Sequence, residues 1–265
     1  MDIVLIIIML ALGLVGSFFS GLLGIGGAII NYPLLLYIPP LFGEASFTTH
    51  EVSSISMFQV FFSSLAGVIA FRRRSKRGKA SGAVNKGLVI YMGASILVGS
   101  LIGGFVSGHL HGNIINLIYG ILAVLAVILM LIPTRGREEQ PPGQLQYHRG
   151  IAVTAAFLVG CVSGVVGAGG AFILIPIMLT VLMIPTRTTI ASSLAIVFIS
   201  AIGGVIGKLT GGDIPLWPTV VAVVGSVIGA PIGSMISSRI NVKLLRYALV
   251  VLIAATAVKV WLSII

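Results

Sequence analysis

Long uncharged apolar runs, separated by short polar turns, dominate the chain. Two of them, 3–42 and 151–186, are about twice the ~20 residues that one bilayer crossing takes. Glycines interrupt each near its middle, so each predicts a broken, two-legged helical hairpin. The remaining runs have the length of single spans: 52–71, 87–107 and 114–132 in the first half, 190–207, 214–238 and 244–262 in the second. Uniform runs of this length exclude a β-barrel, whose strands are short and alternate in polarity. The predicted fold is an all-α polytopic membrane protein, because lipid leaves no partner for open backbone.

The two hairpins carry one motif. Ser20-Gly21-Leu22-Leu23-Gly24-Ile25-Gly26-Gly27-Ala28, with Pro33 beyond it, returns as Ser163-Gly164-Val165-Val166-Gly167-Ala168-Gly169-Gly170-Ala171 with Pro176. Fainter echoes follow. Ser53-Ser54 matches Ser192-Ser193, Gly99-Ser100-x-x-Gly103 matches Gly225-Ser226-x-x-Gly229, and Tyr119 matches Tyr247. A duplicated plan results, each copy a hairpin plus three transmembrane helices. Residues 1–133 form the first repeat, 134–149 a polar linker with Pro141 and Pro142, and 150–265 the second repeat.

Composition agrees: 57% of residues are hydrophobic and 8% charged, against about 25% charged in soluble domains. The net charge of +10 does not imply nucleic acid, because its cations cluster in turns between spans and no soluble binding domain remains. If each hairpin enters and leaves by the same face, the repeats are inverted. All of the 16 lysines and arginines except Lys208 and Lys259 then lie inside, including the run Arg72-Arg73-Arg74-Ser75-Lys76-Arg77-Gly78-Lys79. Treating each hairpin run as one crossing instead moves Arg187, Arg239, Lys243 and Arg246 outside, which fits the positive-inside rule less well. The inverted plan puts both termini, Trp217 and Trp261 at the outer side. Cys161 is the single cysteine, so no intrachain disulfide is expected. The N-terminal run lacks a basic leader and cleavage site and is expected to be retained.

Inverted repeats with glycine-broken helices are the plan of secondary transporters, with substrate held at the midplane where broken helices meet. The second legs start at Ala28 and Ala171, where free N–H groups and the positive end of the helix dipole attract an anion. The expected site comprises Gly24, Gly26, Gly27, Ala28 and Asn31 from the first hairpin, and Gly167, Gly169, Gly170 and Ala171 from the second. Ser53, Ser54, Ser192 and Ser193 add neutral donors, with Gln59 a further candidate. For Gly99, Gly103, Gly225 and Gly229 close helix packing is the expected duty. No βαβ unit surrounds the glycines, so a dinucleotide loop is a false match. The six acidic residues fall at ends or in turns, and no lysine or arginine is expected within the central part of a span. No cofactor or catalytic signature stands out. His109 and His111 read as a solvated turn, His50 and Glu51 as a helix start, and Cys161 as a packing residue.

The paired motifs, the length and the basic loop after the second span resemble the sulfite exporter family (TauE/SafE) over essentially the whole chain. The resemblance implies a bacterial or archaeal plasma-membrane permease for sulfite, sulfonates or related sulfur-containing anions. The expected activity is export of a small anionic substrate by alternating access, without cofactor or metal. An importer of another organic or inorganic anion is the alternative within transport, and a membrane enzyme or scaffold the alternative outside it.

Overall fold

A computed structural model describes residues 3–23, 28–44, 46–76, 84–131, 147–211 and 213–236, with isolated positions 251, 254 and 258. Gly24, Gly26, Gly27, most of the linker, Tyr247, Trp261 and most of the expected last span lie outside the described residues. Within them the helices are α1 (Ile3–Leu23), α2 (Ala28–Leu41), α3 (Thr49–Lys76), α4 (Lys86–Ser107), α5 (Gly112–Leu131), α6 (Arg149–Val166), α7 (Ala171–Thr180), α8 (Thr186–Gly211) and α9 (Leu216–Ile236). Six of these, α1, α3, α4, α6, α8 and α9, are long and apolar enough to cross a bilayer. The protein is an all-helical, multi-pass membrane protein.

Polar residues set the helix starts. At α3, Glu51 Oε2 accepts from the Thr48 N–H at 2.8 Å while the Glu51 N–H donates to Thr48 Oγ1 at 3.3 Å, a reciprocal capping box. The cap begins α3 ahead of the apolar run, and the far end stays helical into the basic cluster. There the Arg74 guanidinium donates to the Ser234 carbonyl of α9. At α4, Asn85 Oδ1 accepts from the Leu88 N–H at 2.9 Å. Tyr32 ties α2 to α5, donating to Asn116 Oδ1 at 2.8 Å and stacking on Tyr119 at 4.6 Å.

Helix packing rests on glycine against backbone. Gly99 and Gly103 of α4 lie on the carbonyls of Phe157 and Cys161, and Gly160 and Gly164 of α6 return the contact on Ile96 and Ser100. In the other half Gly229 and Gly233 of α9 lie on Leu14 and Phe18, and Gly21 of α1 on Ala230. With no Cβ between them the backbones approach closely, which substitutes for the hydrophobic drive that lipid removes. By these contacts Gly99 corresponds to Gly229, and Gly103 to Gly233. That is one helical turn away from the sequence echo of Gly99 with Gly225.

The same contacts give direction. Residue numbers rise together between α4 and α6, between α1 and α9, and between α4 and α8, where Gly203 meets Leu97 and Gly207 meets Leu101. Between α3 and α8 they run oppositely: Gly67 meets Leu194 and Gly204 meets Met57. α4, α6 and α8 are therefore parallel, and α3 crosses α8 antiparallel near the middle of both, where Phe61 packs on Phe198 at 5.4 Å.

Candidate functional site: the glycine break of the second hairpin

α6 ends because Gly167 takes a left-handed backbone (φ 80°), its N–H bonding back to the Ser163 carbonyl. Ala168 N–H shares that acceptor at 2.9 Å. Gly169 (φ 63°) and Gly170 (φ 77°) continue left-handed, a region that costs other residues about 1–2 kcal/mol each. Gly170 then caps α7, its carbonyl accepting from Ile173 and Leu174. The N–H groups of Gly169, Gly170 and Phe172 make no recorded hydrogen bond among the described residues, as expected of a helix start.

This break is wedged among three helices. Gly167 seats on the Ser53 carbonyl of α3, and a Cβ on Gly169 would lie 2.6 Å from Val60 Cγ1 and 3.4 Å from Val197 Cγ1. Gly170 faces Val159, Ser163 and Ile96. Val60 and Val197 each lie about 16 Å along α3 and α8 at 1.5 Å per residue, so the break reaches the middle of the crossing pair.

In the first hairpin Asn31 Oδ1 packs on Gly16. Asn31 is 2% exposed, yet among the described residues neither atom of its amide has a hydrogen-bond partner, and the buried hydroxyls of Ser17 and Ser20 on α1 are equally unpaired there. Ser54, Ser56 and Gln59 of α3 and the Ser200 hydroxyl of α8 are likewise buried without partners among the described residues. An unpaired buried polar group costs about 1–3 kcal/mol. Such groups can hydrogen-bond water or a ligand.

The expected serines divide. Ser53 Oγ donates to the Val165 carbonyl at 2.9 Å, Ser192 Oγ accepts from the Asn85 N–H at 3.1 Å, and Ser193 Oγ donates to Ile190 at 3.1 Å. Ser54 alone of the four keeps an unpaired hydroxyl. Ala28 and Ala171 open α2 and α7 as expected. Ser17, Ser20, Ser56 and Ser200 were not anticipated. The signal for Ser17, Ser20 and Ser56 was hydroxyls one turn apart inside apolar runs, Ser17 with Ser20 and Ser53 with Ser56.

Lys208 corrects the sequence reading outright. It was assigned to an outer turn, but it belongs to the last turn of α8 and is 1% exposed. Nζ donates to Ser107 Oγ at 2.6 Å and to the Val165 carbonyl at 3.1 Å. Other candidates recede. Glu51 is spent on its cap, His109 Nδ1 lies 3.3 Å from the Phe105 carbonyl, and Cys161 is half-buried at the Gly103 contact. Among the described residues no cluster of His, Cys, Asp and Glu could hold a metal.

Comparison with known proteins bears on this geometry. The family model "Sulfite exporter TauE/SafE" matches residues 9–260. The chain belongs to the TauE/SafE family. A probable membrane transporter of Bacillus subtilis is 24% identical over 234 residues, covering 82% of this chain and 83% of its own. One from Methanocaldococcus jannaschii is 28% identical over 214 residues, covering 78% and 72%. A third, from Xylella fastidiosa, is 33% identical over 188 residues, covering 69% and 65%. No solved structure matches. As a TauE/SafE protein the chain is a membrane transporter, and the names of its relatives point to transport rather than enzymatic work.

Proposed function

We propose that this TauE/SafE protein exports a small sulfur-containing anion, sulfite or an organosulfonate, by alternating access. The observation that carries the reading is the glycine break at Gly167, Gly169 and Gly170, where the unpaired N–H groups of Gly169 and Gly170 stand at the middle of the α3–α8 crossing. Such donors suit an oxyanion, and the buried amides and hydroxyls of Asn31, Ser54 and Gln59 add neutral donors. Gly24, Gly26, Gly27 and Ala28 complete the site by the repeat of the motif. Ala171 opens the second leg. Ser53, Ser192 and Ser193 belong to its wall, their hydroxyls engaged within the protein in this conformation. The family description supplies sulfite as substrate class.

Alternating access rests on two inverted repeats, residues 1–133 and 150–265, joined by a cytoplasmic linker at 134–149. The helix directions support the inversion: α3 and α8, equivalent by Ser53-Ser54 and Ser192-Ser193, run antiparallel. Labelling tests it in a Cys161→Ser background. Arg73→Cys should react only from the cytoplasmic side and Asp213→Cys only from outside; both side chains are exposed. Labelling of both from one face defeats the inverted plan. The substrate is tested in proteoliposomes with sulfite, sulfate, taurine and sulfoacetate. Saturable flux of sulfite or a sulfonate is expected, and its absence for the whole panel defeats the substrate assignment.

A further inference from the structure

A lysine close to a helix end in a bilayer ordinarily extends its stem until the ammonium reaches water. Lys208 turns inward instead. Its two acceptors are neutral, and both also serve other bonds. Ser107 Oγ donates onward to the Gly104 carbonyl at 2.7 Å, and the Val165 carbonyl also accepts from Ser53 Oγ at 2.9 Å. No carboxylate joins them among the described residues. Neutral partners return little of the cost of burying an ammonium, and among the described residues only two of its three donors find an acceptor. Packing alone does not explain a cation here, since an apolar side chain of similar length would fill the space without that cost.

Its position suggests the missing partner. Val165 is the crest of the second hairpin, just before the break. Ser53, which shares the Val165 carbonyl, lies about 10 Å along α3 from Val60, the residue against Gly169. The ammonium thus stands one short step from the break, toward the C-terminal end of α8.

We propose that Lys208 binds the transported anion, its ammonium exchanging the Val165 carbonyl for an anion oxygen and so releasing the crest of the hairpin. This rests on the transport reading above and adds to it a buried lysine on the path. The anion provides the counter-charge that the fold withholds, and Ser53 alone then holds the crest.

The test uses the full chain in detergent, with binding isotherms and thermal midpoints for sulfite, sulfoacetate, taurine, sulfate and chloride. Lys208→Gln should weaken anion binding by at least about tenfold, the worth of one charge-assisted hydrogen bond. Lys208→Arg should retain most of it. Ser107→Ala removes a neutral partner and keeps the charge, so it should bind as tightly as the parent or more tightly. A monodisperse Lys208→Gln protein with the parent's affinity overturns the proposal. If that variant does not fold, loss of binding in Ser107→Ala overturns it, because the ammonium would then serve the packing only. Should the parent bind chloride but none of the sulfur anions, with the same dependence on Lys208, the substrate reading fails and the role of Lys208 stands. A parent that binds no anion defeats both.

Discussion

Gly167→Ala is expected to abolish transport, and no trimming of a neighbouring side chain should restore it. The added methyl would overlap the backbone carbonyl of Ser53, which cannot step aside without moving the start of α3. The left-handed backbone adds about 1–2 kcal/mol of strain. Gly169 is the informative contrast. Its Cβ would meet Val60 Cγ1 at 2.6 Å, a side-chain contact of the kind that costs about 1–3 kcal/mol when overpacked. Gly169→Ala should therefore lower the thermal midpoint, and Val60→Ala should recover the packing part of the loss but not the backbone part. Gly169→Val, alone or with Gly26→Val, should abolish substrate binding, since its methyls occupy the approach to the free N–H groups. Gly103→Val supplies the control. It strikes the Cys161 carbonyl at the α4–α6 contact and should lower stability while folded protein keeps its affinity. A folded Gly169→Val protein with the parent's affinity would place the anion elsewhere.

The division between those glycines was partly legible in the sequence. Length and motif sufficed for the broken second hairpin, because a glycine run inside an apolar stretch about twice a span's length admits few other readings; the first break, at 24–27, lies outside the described residues. One motif nevertheless performs two duties. Gly21 and Gly164 lie on the facing helices, at Ala230 and Ser100, whereas Gly167, Gly169 and Gly170 bend the chain. Only three-dimensional contact separates these. The register of α4 against α9 was misread by one turn, because Gly-Ser-x-x-Gly recurs at helical spacing and a shift of one turn presents nearly the same face. Lys208 was misread for a different reason. Next to a turn rich in glycine, a charge in a sequence suggests solvent, and nothing local says that α8 continues past it or that Ser107 and Val165 stand ready as acceptors. The unpaired hydroxyls of Ser17, Ser20 and Ser56 left only their one-turn spacing as a signal, and that is weak, since a serine in a membrane helix commonly bonds its own backbone. Ser63 and Ser64 do so here.

Export driven by the membrane potential is the second large effect expected. The potential contributes about 2.3 kcal/mol per charge per 100 mV, which for a monovalent anion leaving a negative interior corresponds to a gradient of several tens-fold. Export then needs no coupled ion, whereas accumulation against that potential would need one. The charged groups within the described spans fit the first case. Glu51 is the acidic residue at a span's first turn, and its carboxylate is spent on the Thr48 cap. At the other end of a span, Lys208 is buried in the last turn of α8, and a cation attracts an anion without offering sodium a ligand. Proton-coupled carriers commonly keep a carboxylate or histidine in the membrane, and the described spans hold none beyond those helix ends. In proteoliposomes loaded with sulfite, efflux should rise steeply when an interior-negative potential is imposed with potassium and valinomycin, and should collapse when potassium is equalised. It should be unchanged by a sodium or proton gradient at constant potential. Flux indifferent to the potential but dependent on either gradient would make the protein a coupled carrier, and the direction of transport would then follow from that ion.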